Sequence, residues 1–286
     1  MAEGGAVTGS IRADAATVAT VADILRRAAA AHVLPEYAGG RGTAATAKAC
    51  GGLVTEVDHA MQAAIQADLA AAFPGAGLLG EEMEPAEHRR ALAGAETGLW
   101  CLDPLDGTSN FAVGIPIFGV SVALLVGGEA VLGVVFDPVR DELFSAVRGG
   151  GAWLNGEPIA MRSPRPLRRS VGIIDFKRLP RAVARHLAGE QPFHAQRNFG
   201  SSVLEWCWLA CGRVDFYLHG GQNLWDFAAG SLIAAEAGAD VATMDGEPLF
   251  AGDILRRSVL AVADPGLRTE LAPHLCPGGD EAEMEG

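Results

Sequence analysis

Trp100-Cys101-Leu102-Asp103-Pro104-Leu105-Asp106-Gly107-Thr108-Ser109-Asn110-Phe111 carries the densest chemistry in the chain. An apolar lead-in delivers Asp103 at a strand end, Pro104 fixes a turn, and Asp106 follows three residues on, so both carboxylates can converge on one centre. Gly107 lets the backbone approach a ligand closely, and Thr108 to Phe111 start a helix whose free N–H groups face an anion. Together these features describe a cation site touching a phosphate site. Taken alone, the same residues also fit an Asp-rich turn with a helix cap.

On either side of this segment, further acidic positions sit where apolar runs end. Gly80-Glu81-Glu82 follows Leu78-Leu79, which puts adjacent carboxylates at the mouth of a predicted strand. Trp225-Asp226 opens a predicted helix over 227–237, and Asp58 fits a capping box with Thr55 as its N-cap. Singly, these positions also read as a solvated loop pair, a helix cap and a capping partner.

The chain has 286 residues, 49% of them hydrophobic, with 22 basic against 35 acidic side chains and a net charge of −13. That excludes a disordered protein, and chains above ~250 residues tend to split their core, so two sub-domains are expected. The acidic balance argues against nucleic acid as a partner. No basic start followed by a long apolar run opens the chain, and the longest apolar stretch, Phe118 to Val126, is about half the ~20 residues of a membrane helix. Neither a secretory signal nor a membrane partner is expected. Five scattered cysteines, Cys50, Cys101, Cys207, Cys211 and Cys276, fit reduced thiols in a cytoplasm. Cys207 and Cys211 share a helical face and are expected as buried core thiols, since a zinc site needs two more ligands.

Val18, Val21, Leu25 and Ala29 predict an amphipathic helix over 14–32, and Val57, Met61, Ile65 and Leu69 a second one from Thr55 until Phe73-Pro74-Gly75 stops it. From Val120, β-branched runs separated by Gly127-Gly128, Asp137-Pro138 and Asn155-Gly156 predict an antiparallel meander. Met161 to Arg169, with two prolines among arginines, marks the boundary between sub-domains 1–162 and 163–286. Beyond it, strands at 171–176, 214–218 and 258–263 alternate with helices near 180–188, 202–211 and 226–237, as in layered α/β architecture. Residues 278–286 are expected to form a frayed acidic tail.

In their order along the chain, Gly80-Glu81-Glu82, the run Asp103 to Phe111, and Trp225-Asp226-Phe227-Ala228-Ala229-Gly230 resemble the signatures of the inositol monophosphatase family. The likeness also covers Leu53 to Asp58, Gly200-Ser201-Ser202 and Ala210 to Arg213, and so spans residues 15 to 265. The resemblance implies an α/β (α+β) fold, a layered α-β-α-β-α sandwich of the inositol monophosphatase and fructose-1,6-bisphosphatase type. It implies a Mg²⁺-dependent, lithium-sensitive phosphomonoesterase, a homodimer, with most metal ligands in the first sub-domain and Asp226 and substrate contacts in the second. Carried over, Glu81, Asp103 and the Leu105 carbonyl hold one Mg²⁺, while Asp103, Asp106 and Asp226 hold a second. A third, weaker ion rests on Glu81 and waters, with Asp58 beyond them. Glu81 and Thr108 orient and deprotonate the attacking water, Asp58 counting with them as catalytic. Gly107 and Thr108 amides hold the phosphate, and Ser201, Ser202, Glu205, His219 and Asp226 face the substrate. Oxygen-only ligands suit a hard cation, and two cations ~3.5–4 Å apart can activate water and stabilise a leaving alkoxide together.

Departures from the family pattern fall on substrate positions. Inositol-specific members carry a glutamate seven residues before the Trp-Asp aspartate, where this chain has His219, and the usual Gly-Ser-Ala-Ala-Leu-Asp reads Gly200-Ser201-Ser202-Val203-Leu204-Glu205. Inositol phosphate is therefore one candidate among sugar phosphates, histidinol phosphate and 3′-phosphoadenosine 5′-phosphate. His219 either shifts that preference or simply ends a strand and points to solvent. Residues 162–185 hold eight basic side chains against the single acid Asp175, which reads as a receiver for a second anionic group or an acidic partner, or as a solvated linker. A non-catalytic metal-binding regulatory subunit would keep the fold, but the intact carboxylate set favours an enzyme. An aspartyl-phosphate phosphotransferase wants its two aspartates two apart, and Asp103 and Asp106 are three apart. No Gly-x-Gly-x-x-Gly follows a strand and opens a helix, which removes a dinucleotide module.

Overall fold

The computed structural model describes residues 11–38, 46–47, 53–94, 98–163, 165–252 and 254–276. In chain order the elements are α1 (Ala15–Ala28), a π-helical turn (Ala29–Val33), α2 (Leu34–Tyr37), β1 (Thr46–Ala47), β2 (Leu53–Val54), α3 (Glu56–Ala72), β3 (Gly77–Gly80), α4 (Pro85–Ala93), β4 (Leu99–Asp106), α5 (Thr108–Val113), β5 (Gly119–Val126), β6 (Glu129–Asp137), β7 (Glu142–Val147), β8 (Ala152–Leu154) and β9 (Glu157–Ile159). There follow β10 (Val171–Asp175), α6 (Arg181–Glu190), β11 (Ala195–Arg197), α7 (Ser202–Ala210), β12 (Phe216–Asn223), α8 (Leu224–Glu236), β13 (Asp240–Ala242), β14 (Arg256–Val262) and α9 (Pro265–Leu275).

Among the described residues, β3 to β9 form a seven-stranded sheet in sequence order, and β11-β10-β12-β14-β13 form a five-stranded one. The period of two along β4 sorts the layers. Trp100 and Leu102 face a core shared with Val21 and Leu25 of α1 and Met61 and Ile65 of α3. Leu99 and Cys101 face the opposite core, shared with Trp206 of α7 and Phe227 and Ile233 of α8. Tyr217 and Val259 of the second sheet close that middle core, while their neighbours Phe216 and Leu260 turn outward to Leu187 of α6 and Leu271 of α9. The fold is thus an α-β-α-β-α sandwich. Strands covered on both faces read as near-continuous apolar runs, as β5 does apart from Ser121 and β6 does between Glu129 and Asp137. The helix layer lies close on the sheet at Gly133 of β6, where a Cβ would stand 2.8 Å from the Ala229 carbonyl oxygen of α8.

Three expectations change. β4 does not end at Asp103 but runs through Pro104 to Asp106, its pairing with β5 irregular between Asp103 and Asp106. Pro104 has no N–H for the ladder, so the strand is distorted there rather than turned back. β12 does not stop at Leu218 either: it reaches Asn223, flanked by β10 and β14, and His219 is 6% exposed instead of facing solvent. Cys207 is buried as expected, but Cys211, at the C-cap of α7, is only partly so. Cys50 and the acidic tail over 278–286 lie outside the described residues. Among the described helices, none is long and apolar enough to cross a membrane.

Candidate metal centre

Glu81, Asp103, Asp106 and Asp226 are each placed by a local backbone device. The Glu81 N–H donates to the Leu102 carbonyl at 3.1 Å, which extends the parallel β3–β4 pairing past Gly80 and sets Glu81 abreast of Asp103. The next N–H, of Glu82, donates to Gln62 Oε1 at 3.0 Å, and a Cβ at Gly80 would collide with that amide. Glycine at 80 therefore lets α3 buttress the turn. Asp103 Oδ1 accepts from the Leu105 N–H at 3.1 Å across the distorted part of β4. Asp106 Oδ2 accepts from the Ser201 hydroxyl at 2.6 Å and the Val203 N–H at 2.9 Å. Asp226 is residue N3 of α8, and its Oδ2 accepts from the Asn223 N–H at 2.8 Å in a capping box.

These devices bring one carboxylate oxygen of each of Asp103, Asp106 and Asp226 within 4.8 Å of the others. Burial, and then the charges of Glu81, Asp106 and Asp226, hold the Asp103 carboxyl well above the usual carboxylate range. Asp226 is held well above it by burial and by the charges of Asp106 and Glu81. Burial raises Asp106 too, against the hydrogen bonds from Ser201, Val203 and Gly107. Buried, mutually repelling carboxylates with an oxygen-only donor set fit a hard divalent cation, whose charge removes the repulsion.

Beside this cluster lies a second device. Asp58 is fully buried, and its Oδ2 accepts from the N–H of Thr55 at 2.8 Å and from the Thr55 hydroxyl. Thr108 Oγ1 lies 2.9 Å from Asp58 Oδ1 and 2.9 Å from the Leu105 carbonyl oxygen. Asp58 is thus both the capping-box partner of Thr55 and an acceptor for the Thr108 hydroxyl. Gly107, with φ 86°, turns the chain from β4 into α5 at a point where a Cβ would stand 2.8 Å from the Ile117 carbonyl oxygen.

On the substrate side, two expected contacts are engaged within the protein. Ser201 donates to Asp106, and Glu205 is buried, its Oε1 accepting from the N–H groups of Phe199 at 2.6 Å and Gly200 at 3.2 Å. Ser202 and Glu205 both act on the Tyr217 hydroxyl. Burial pushes the Glu205 carboxyl up to about 7 against an ordinary 4.5. Between those values the folded chain holds a proton that the unfolded chain has released, so this group's contribution to stability declines as pH rises through the window. Glu205→Gln is expected to flatten the fall in melting temperature between about pH 5 and pH 7, as read by thermal melts. An unchanged pH slope would contradict the assignment.

His219 accepts from the Gly221 N–H on Nδ1 at 3.1 Å and places Nε2 3.6 Å from Asp175 Oδ2. Sequence reasoning missed Gln62 and Asn110. Gln62 lies one helical turn after Asp58 and could have been read from that spacing; Asn110 Nδ2 donates to the carbonyls of Ile117 at 2.8 Å and Phe199 at 2.7 Å, tying α5 to the Ser201 loop, with no signal beyond its place in the motif.

Fold and site together define a layered sandwich with a buried oxygen-ligand centre where its strands and helices converge. The model of the inositol monophosphatase family matches residues 12–278, and the chain belongs to that family. It is 38% identical over 238 residues to the Nus factor SuhB of Pasteurella multocida, covering 81% of this chain and 85% of that protein. It is 39% identical over 193 residues to inositol monophosphatase 1 of Solanum lycopersicum, covering 65% of this chain and 70% of that protein. Among solved structures, the extragenic suppressor protein SuhB from Bartonella henselae matches with a TM-score of 0.79 at 28% identity, covering 92% of this chain and all of that one.

Proposed function

We propose that the chain is a Mg²⁺-dependent phosphomonoesterase acting on a small phosphorylated metabolite, an inositol monophosphate or a sugar phosphate. The observation that carries this reading is the convergence of Asp103, Asp106 and Asp226 beside the Thr108–Asp58 pair. Glu81, Asp103 and the Leu105 carbonyl would hold one Mg²⁺, Asp103, Asp106 and Asp226 a second, and Glu81 a weaker third. Bound there, the cations supply charge stabilisation to phosphoryl oxygens and a lowered pKa to water. The chain's own groups do the rest. Backbone amides of Gly107 and Thr108 receive phosphate oxygens, Thr108 Oγ1, with its own proton held by Asp58, accepts a hydrogen bond from the attacking water, and Glu81 takes up the water's proton. Free thiols at Cys101, Cys207 and Cys211 fit a cytoplasmic setting, and family likeness supports a homodimer.

Thr108→Val keeps the shape of the side chain and removes its oxygen. It is expected to lower kcat by ~10²–10⁴ with little change in KM, while Thr108→Ser retains most activity. A valine variant as fast as the parent would remove Thr108 from the mechanism. Lithium at millimolar concentration is expected to inhibit, by taking the place of the second Mg²⁺.

The relative named Nus factor SuhB favours a second reading, a metal-binding regulatory subunit without turnover. Phosphate release from a panel of inositol, sugar, histidinol and nucleoside phosphates separates the two. Release from any ester with Mg²⁺ supports the enzyme. Failure on all of them, with Mg²⁺ still raising the melting temperature, supports the regulatory reading.

A further inference from the structure

Arg178 and Arg256 are exposed, and among the described residues neither side chain has a hydrogen-bond or ion-pair partner. Their neighbours differ: Lys177 lies 4.0 Å from Asp175, and Arg257 pairs with Glu247 at 2.7 Å. Both unpartnered arginines flank one short stretch. β12 leads directly into α8, so His219 to Asn223 is the last segment before Asp226. On one side β10 runs parallel, Asp175 opposite His219, and the turn just past it carries Arg178. On the other side β14 runs antiparallel and begins with Arg256 opposite Asn223.

Gly220 and Gly221 make this approach possible. A Cβ at Gly220 would collide with the Arg178 carbonyl, and one at Gly221 would stand 2.9 Å from Arg256 Nε. The pairing of β12 with β14 shifts register between His219 and Gln222, at these same glycines.

The residue at 219 decides whether this positive charge stays available. Burial, then the charges of Arg178, Arg256 and Lys177, push the His219 ring down to about 3, so it is neutral at physiological pH. With Nδ1 accepting from Gly221, the neutral ring carries its proton on Nε2, toward Asp175. A carboxylate at this position would pair with a neighbouring guanidinium and cancel it; imidazole leaves both cations free.

We propose that Arg178 and Arg256 form a second-anion subsite, so that the substrate is a phosphate monoester bearing a further anionic group, a carboxylate or a second phosphate, on its alcohol. The proposal rests on the phosphatase reading for the ester phosphate that is cleaved. Guanidinium forks match carboxylate and phosphate oxygens in pairs, whereas an ammonium-bearing ester such as histidinol phosphate would be repelled. His219 is a positioning residue that keeps the subsite charged without joining it.

Two matched pairs of esters test this with the full chain and Mg²⁺: glucose 1-phosphate against glucose 1,6-bisphosphate, and glycerol 2-phosphate against 2-phosphoglycerate. In at least one pair the anion-bearing member is expected to have a kcat/KM about tenfold or more above its partner; the first pair reports a second phosphate, the second a carboxylate. Arg178→Gln and Arg256→Gln are each expected to collapse that ratio several-fold through KM, and the lysine variants to keep part of it. His219→Glu is expected to shift the ratio toward the neutral member. Equal kcat/KM within both pairs, or arginine variants that slow both members alike, would overturn the subsite. If no ester is hydrolysed, the phosphatase reading fails, and calorimetric binding of both ester pairs decides the subsite alone. Tighter binding of an anion-bearing member, lost in the arginine variants, supports it, and equal binding within both pairs overturns it.

Discussion

Asp103→Asn is expected to abolish turnover in a protein that, stripped of divalent cation, is at least as stable as the parent. Asp103 is 1% exposed and feels Glu81, Asp106 and Asp226 together. Bound cations at a phosphoryl centre supply several kcal/mol of charge stabilisation, so losing this ligand is expected to cost at least about 10³-fold in kcat. Stability moves the other way. A buried carboxyl held above its unfolded value of 3.8 keeps a proton that the unfolded chain has released, so the cation-free parent loses stability as pH rises from that value. Asparagine removes that dependence. With Mg²⁺ at a hundredfold excess over its Kd, the parent gains about 2.7 kcal/mol, and the variant loses most of that gain. Thermal melts in chelator and in Mg²⁺, with phosphate release on the same samples, check both halves. A variant that is destabilised in chelator, or that keeps the Mg²⁺ shift, would contradict the assignment.

Gly133→Val is expected to give the largest purely structural effect. A Cβ at Gly133 would stand 2.8 Å from the carbonyl oxygen and 2.9 Å from the Cα of Ala229, both backbone atoms of α8 that cannot swing aside. Over-packing of this kind costs about 1–3 kcal/mol or more, and in a chain of this size each kcal/mol is about 2–4 °C in Tm. The displaced helix carries Asp226, so activity is expected to fall with stability. Gly133→Ala is expected to show the same effects in smaller measure. A valine variant that melts within about a degree of the parent would mean that α8 does not lie on β6 as described.

Much of the site was legible because its parts are local. Asp103 and Asp106 share one strand, Asp226 and Asp58 sit at helix starts marked by their own capping boxes, and Gly107 announces a positive φ between strand and helix. The layers were legible for a similar reason, since the periods of α1, α3 and the meander are carried by each segment alone. What escaped were consequences of pairing between distant segments. His219 reads as a strand end until β10 and β14 are seen to flank it. Pro104 reads as a turn, yet β4 continues through it because β5 pairs on both sides of the distortion. Arg256 opens a strand far from the catalytic motifs in sequence, and only the β12–β14 register brings it beside the segment leading to Asp226. Ser201 and Glu205, expected as substrate contacts from the family likeness, both have partners inside the protein.

The most direct test is the rate of phosphate release from the ester panel as free Mg²⁺ is raised from excess chelator to millimolar concentration. A carboxylate-built phosphatase centre predicts no release in chelator, a saturable rise with Mg²⁺, and no rise in Asp103→Asn. Release that is equal in chelator and in Mg²⁺, or a full rise in Asp103→Asn, would contradict it.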